Sequence, residues 1–260
     1  MEEIAYRGLR MARLRTTQRE LFRDFHDLLC AVADRVTVEG RTPEQAFGET
    51  VRAWRALLER PRELSTEKRI GLLGELAVLG SLAKVHGWGK AIEAWKGPIG
   101  EEHDFSTDGY DVEVKTTSSE ARQHVIRGFS QLTPTSDRPL WFVSIQVTRG
   151  GADGKTLAEC VRSVRNTVED EAPAVADHLE ALLSRLALPR GQDNERWQMR
   201  SAPLVLTTDD RFPSLDRSVL GGLPREVADR IKDIDYRIDL TGLPPAPGAP
   251  AALRERFGLV

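Results

Sequence analysis

Several absences narrow what this sequence can be. Two cysteines in 260 residues, Cys30 and Cys160, allow at most one disulfide. Both lie in stretches of helical apolar spacing, so both are expected to be reduced core residues. No apolar run approaches the roughly 18–20 residues needed to cross a bilayer. The opening MEEIAYRGLRMARLR lacks the apolar core of a signal peptide, which makes a cytoplasmic location the expectation. A formal charge of −3 gives no global pull toward nucleic acid, although a local groove can be basic when the total is not. No His/Cys spacing suggests zinc, so His26, His86 and His103 are read as structural or exposed. Lysine is scarce, 7 residues against 30 arginines, and the place of each lysine is informative for that reason. There is no internal repeat and no low-complexity tract.

What is present suits one large α/β domain with a smaller appendage. Residues 16–36 carry Leu21, Phe22, Phe25, Leu28, Leu29, Val32 and Val36 at helical spacing. Thr42 and Pro43 then read as the cap and first turn of a second helix. A long helix is expected from Ser65 to about Gly87, apolar nearly all round, with Gly71, Gly74 and Gly80 pointing to close packing. HDFSTDGYDVEVKTT reads as a hairpin around Asp108-Gly109, and RPLWFVSIQVTRG as a strand. QHVIRGFSQL is ambiguous and is read as a strand turning into a helix, because Gly128 interrupts it. Residues 155–188 form two helices or one bent at Pro173, and SAPLVLTT and DYRIDL are late strands. The expected organisation is an N-terminal helical extension (1–62), an α/β domain around one mixed sheet (63–245), and a Pro-rich C-terminal tail (246–260).

The stretch GYDVEVKTTS sets Asp111, Glu113 and Lys115 on one strand face and Tyr110, Val112 and Val114 on the other. A half-buried strand with a wet charged face is the ordinary meaning of such alternation. With 40 acidic residues and 7 lysines, about one acid-x-Lys triplet is expected by chance; there are two, and Asp153-Gly-Lys155 falls in a flexible turn. Glu113-Val-Lys115 has more around it. A two-residue turn at Asp108-Gly109 opposes Ser106 to Asp111, Phe105 to Val112 and Asp104 to Glu113. Opposed like charges destabilise a hairpin, and a divalent cation would remove that repulsion. Lys115, two residues on, would reach a phosphate oxygen or an attacking water. Upstream, Glu75 sits among Leu72, Leu76 and Leu79; it either emerges through a polar stripe, bonded to an arginine, or points at the same cation.

This ordered set, Glu75, Asp104, Glu113 and Lys115, resembles the PD-(D/E)XK nuclease superfamily, with His103 where the motif has proline. Over about residues 64–242, with FSQL and RFPSLD…LP…DYRIDL, the chain is most similar to the bacterial "PD-(D/E)XK motif protein" family of restriction and phage-defence gene clusters. The resemblance implies a restriction-endonuclease-like fold: a mixed central sheet flanked by helices. It implies a DNA endonuclease using Mg²⁺ or Mn²⁺, held by Asp104, Glu113 and the Val114 carbonyl with Glu75 as accessory acid. Lys115 would position or activate the water, and Gln131 would lie near the site; the other reading of Gln131 is a solvated helix start. Implied partners are double-stranded DNA, helicase-like or methyltransferase subunits and, for cutting both strands, a homodimer, with no membrane. Arg122, His124 and Arg127 are candidate phosphate contacts or plain surface. Two competing readings stand beside the nuclease: a non-cleaving DNA-binding or scaffolding subunit, and a structural protein whose Asp104 and Glu113 are exposed and apart.

Overall fold

A computed structural model describes residues 2–6, 9–13, 22–58, 64–135, 138–186, 188, 193–209, 211–254 and 258–260. The chain divides into two units, Met1–Arg62 and Glu63–Val260. In the first, β1 (Glu2–Tyr6) and β2 (Leu9–Arg13) form an antiparallel ribbon that the helical reading did not anticipate. The helices α1 (Phe22–Thr37) and α2 (Pro43–Leu58) follow. Residues 16–21 of the expected first helix lie outside the described residues. Thr42 caps α2 reciprocally: its hydroxyl accepts from Gln45 N–H at 3.3 Å and its own N–H donates to Gln45 Oε1 at 3.2 Å. Cys30 is exposed rather than a core residue, because α1 buries none of its side chains. Cys160 is buried, and both thiols are free.

The second unit is built around α3 (Thr66–His86), capped by the Ser65 hydroxyl on Lys68 N–H and closed at Gly87 with φ 80°. It buries twelve residues on nearly all sides, as its nearly all-round apolar sequence predicts. One face lies on the main sheet, where a methyl on Gly74 would overlap Thr116 Oγ1 and sit 3.3 Å from Ile145 Cδ1. The glycine there is a requirement of packing.

The sheet is mixed. Its strands are β3 (Phe105–Ser106), β4 (Asp111–Thr117), β6 (Leu140–Arg149), β7 (Trp197–Met199) and β8 (Leu204–Thr207), with β5 (Gln123–Arg127) and β9 (Asp235–Asp239) apart from it. β4 runs parallel to β6, while β3, β7 and β8 are antiparallel to their neighbours. The hairpin register is the expected one for Phe105 opposite Val112 and Ser106 opposite Asp111, but the expected Asp104–Glu113 pair lies outside the ladder, which begins at Phe105. The sheet is not single: β5 pairs only with β9, as a separate ribbon. The Arg122 guanidinium, just before β5, spends its donors on Ser144 O and Oγ in β6 and on Ser201 Oγ and Ala202 O, so side chains rather than a ladder tie this ribbon to the sheet. After β5 the chain makes turns at 128–132 instead of the expected helix, with Gly128 at φ 77°.

Two cores result. One holds α3, α4 (Trp88–Ala94), α5 (Leu157–Glu171) and α6 (Ala176–Leu183) against Val112, Val114, Val143 and Ile145. The second packs Ile126, Leu132, Phe212, Ile238 and Leu240 around Phe142 and Leu206. A 3₁₀ turn at Pro173–Val175 separates α5 from α6, the expected bend. The Pro-rich C-terminal stretch packs against the domain through α8 (Ala251–Arg254). This helix buries Ala252 and Leu253, and Ser81 Oγ donates to Ala252 O at 2.5 Å. This mixed sheet flanked by helices, with an N-terminal helical segment, is consistent with a restriction-endonuclease-like fold.

Candidate active site

Asp111 and Glu113 are 1 % and 2 % exposed, so the charged face of β4 is not wet. The reading that required Asp104 and Glu113 to be exposed and apart is overturned. Burial here follows from the second core, which covers the sheet face carrying Phe142, the register partner of Glu113. Asp111 finds the Arg138 guanidinium at 3.3 Å on this face, and Glu113 finds Lys115 Nζ at 2.5 Å.

The edge strand β3 begins at Phe105, and the chain before it leaves the β4 ladder. The Asp104 carbonyl accepts from Lys96 N–H at 2.8 Å and Gly97 N–H at 3.0 Å. This leaves the Asp104 carboxylate to take the next β4 donor, Val114 N–H, at 2.8 Å. A side chain thus replaces a strand at the sheet edge, fixing Asp104 beside Glu113. Glu75 arrives from α3 on the neighbouring side. Its carboxylate accepts from the Trp95 indole at 2.8 Å and crowds Gly97, whose hypothetical Cβ would overlap Glu75 Oε2 and lie 3.4 Å from Asp104 Oδ1. Gln131 also lies by the site: it favours the charged form of Glu113, while its Oε1 accepts from Arg127 N–H at 3.0 Å.

The three carboxyls act on one another. Burial, then repulsion from Asp104, raises Glu75 to about 8, against the pull of the Trp95 indole and Lys115. Burial, then Asp104, raises Glu113 to about 8, opposed by Lys115 and Gln131. Burial also raises Asp104, opposed by Lys115, the Val114 N–H and His103. Such mutual perturbation is typical of functional sites. Among the described residues no three His, Cys, Asp or Glu side chains converge on an ion-sized space. Each carboxyl is instead turned to a protein donor: Trp95, Val114 or Lys115. The donor set still fits a hard divalent cation, because every candidate ligand is oxygen and the buried acids repel one another.

The structure therefore brings together Glu75, Asp104, Glu113, Lys115 and Gln131. Arg122 and His124 bond Ser144, the register partner of Lys115, rather than the carboxyls: Arg122 in its internal network, His124 buried with Nε2 2.7 Å from Ser144 Oγ and its ring edge-on to Phe142. Arg127 is exposed. His103 is 4 % exposed, with neither ring nitrogen partnered by a described residue. Trp95 and Gly97 were not legible as site residues. Their only signal is the Trp-Lys-Gly run shortly before Asp104, which no periodicity marks.

A mixed sheet with an acid, an acid-x-Lys strand and a helix glutamate meeting at one edge defines the nuclease-like class with this fold. The comparison with known families agrees: the model described as "Putative PD-(D/E)XK family member, (DUF4420)" matches residues 2–241, and the chain belongs to that family. No curated protein and no solved structure matches the chain.

Proposed function

We propose that this protein hydrolyses DNA phosphodiester bonds with a divalent cation, as a subunit of a bacterial restriction or anti-phage defence system. The observation that carries this reading is the buried trio Glu75, Asp104 and Glu113, held beside Lys115 at the edge of the sheet. Asp104, Glu113 and the Val114 carbonyl would hold Mg²⁺ or Mn²⁺, with Glu75 as accessory acid. The cation, when bound, supplies neutralisation of phosphate charge and a more acidic water. The protein's own groups do the rest. Lys115, now on Glu113 Oε1, offers its ammonium to the attacking water or to a phosphate oxygen as the phosphorus–oxygen bond breaks. Gln131 favours the charged form of Glu113, and Trp95 holds Glu75 by its indole. Double-stranded DNA as substrate, helicase-like or methyltransferase partners, a homodimer and a cytoplasmic location belong to this proposal. No helix among the described residues is long and apolar enough to cross a membrane.

A second reading, a non-cleaving DNA-binding or scaffolding subunit that keeps the fold, is favoured by the protein donor already on each carboxyl. Cleavage of supercoiled plasmid with Mg²⁺ or Mn²⁺ separates the two. The nuclease reading expects nicking by the wild type, lost in Lys115→Ala and Glu113→Ala. Retention of nicking in either variant would remove the assigned site, and no cleavage by the wild type would favour the scaffold.

A further inference from the structure

A second concavity, of about 680 Å³, opens between the C-terminal half of α3, α4 and the turn joining β3 to β4. That volume lies within the roughly 300–1,000 Å³ usual for small-molecule sites. Its walls include the apolar Leu82, Ala91 and Ala94. Lys90 and Lys96 also line it, and neither forms an ion pair among the described residues. Two of the chain's seven lysines therefore face one cleft. Arg138 lines it as well, anchored by donation to Thr107 O at 3.0 Å. The Tyr110 hydroxyl lies 3.4 Å from His86 Nε2, which puts a half-buried ring in the same wall. Two acids, Glu93 and Asp108, also line the cleft, and both are exposed. The cleft shares a wall with the proposed active site, since the Lys96 N–H holds the Asp104 carbonyl.

We propose that this cleft receives one nucleotide of the DNA strand flanking the scissile phosphate, with its phosphate on Lys90 and Lys96 and its base against the half-buried Tyr110 ring. The inference rests on the nuclease reading for its substrate. A bare phosphate would leave the Tyr110 ring unused. A nucleotide uses the ring and the lysines, because its base has a face to stack and its phosphate a charge to pair. A nucleotide taken from the double-stranded substrate must leave its stack, so a single-stranded probe reads the cleft's own affinity without that cost.

The test is equilibrium binding of a short fluorescein-labelled single-stranded DNA to the full chain carrying Glu113→Gln, with deoxyadenosine 5′-monophosphate as a separate probe. Adding Lys90→Glu and Lys96→Glu together should weaken strand binding at low salt by about tenfold or more. Tyr110→Ala should weaken it by about tenfold. Arg225→Glu, on the exposed α7 (Arg225–Ala228), should leave it unchanged. Thermal melting of each variant separates a lost contact from a lost fold. Strand affinity indifferent to folded Lys90/Lys96 and Tyr110 variants overturns the proposal. So does tight binding of the mononucleotide without binding of the strand. Plasmid cleavage by the otherwise wild-type chain is measured beside it. Binding that depends on Lys90 and Lys96 without any cleavage would sink the nuclease reading and keep the cleft, and intact cleavage with indifferent binding would do the reverse.

Discussion

His124 ties the packing of this domain to pH, with a size that can be worked out. Burial, then the charges of Lys115 and Arg122, lowers the ring from 6.5 to about 4. The folded protein thus keeps the ring neutral at pH values where the unfolded chain has protonated it. Stability from this group is complete above 6.5 and is lost as pH falls toward about 4. Between about pH 8 and about pH 5 the loss comes to about 2 kcal/mol. Glu75 and Glu113 run the other way: raised to about 8 from 4.5, they bind protons more tightly folded than unfolded and lose stability as pH rises between those values. A raw pH profile therefore mixes opposing slopes. The difference between wild type and His124→Gln cancels the carboxylates, and the glutamine amide can keep a bond to the Ser144 hydroxyl. Urea midpoints at the two pH values should show the wild type losing about 2 kcal/mol more than the variant on acidification. Equal losses in the two proteins would refute the assignment of a buried neutral imidazole.

Three further outcomes follow from contacts around the site and the core. Gly97→Ala places a methyl against Glu75 Oε2 and Asp104 Oδ1, and is expected to cut plasmid nicking at least about tenfold while costing no more than about 1 kcal/mol in thermal melting. Leu253→Ala, at a side chain 2 % exposed, should destabilise by about 3 kcal/mol in urea and leave nicking per folded molecule unchanged. Arg122→Met strips donors from Ser144, Ser201 and Ala202 and should cost about 3 kcal/mol in the same assay. An unchanged midpoint would return Arg122 to the DNA-contact reading.

The parts legible in the sequence are those fixed by local pattern. The ends of α3 follow from Ser65 and Gly87, and the hairpin register from a two-residue turn and alternating side chains. The grouping of Glu75, Asp104, Glu113 and Lys115 came from the family resemblance, and Asp104 comes beside Glu113 not through the ladder but because its carboxylate takes the Val114 N–H. What stayed hidden depends on tertiary choices. A charged strand face reads as solvated until one knows that Phe142, Phe212 and Ile238 form a second core over it. Arg122 and His124 looked like surface because nothing local shows that Ser144 lies beneath them. The separation of β5 and β9 from the main sheet leaves no trace in two ordinary strand patterns. Trp95 and Gly97 matter through an approach to Glu75 across 20 residues of chain, which periodicity does not encode.

Asp104 and Glu113, with Glu75 as accessory acid, are proposed to hold one cation, and titration calorimetry with Mn²⁺ tests that most directly. The expected result is a single saturable site in the wild type, lost in Asp104→Asn and in Glu113→Gln, and unchanged in Asp108→Asn at the exposed turn. Mn²⁺ binding that survives Glu113→Gln, or no binding by a folded wild type, would contradict it.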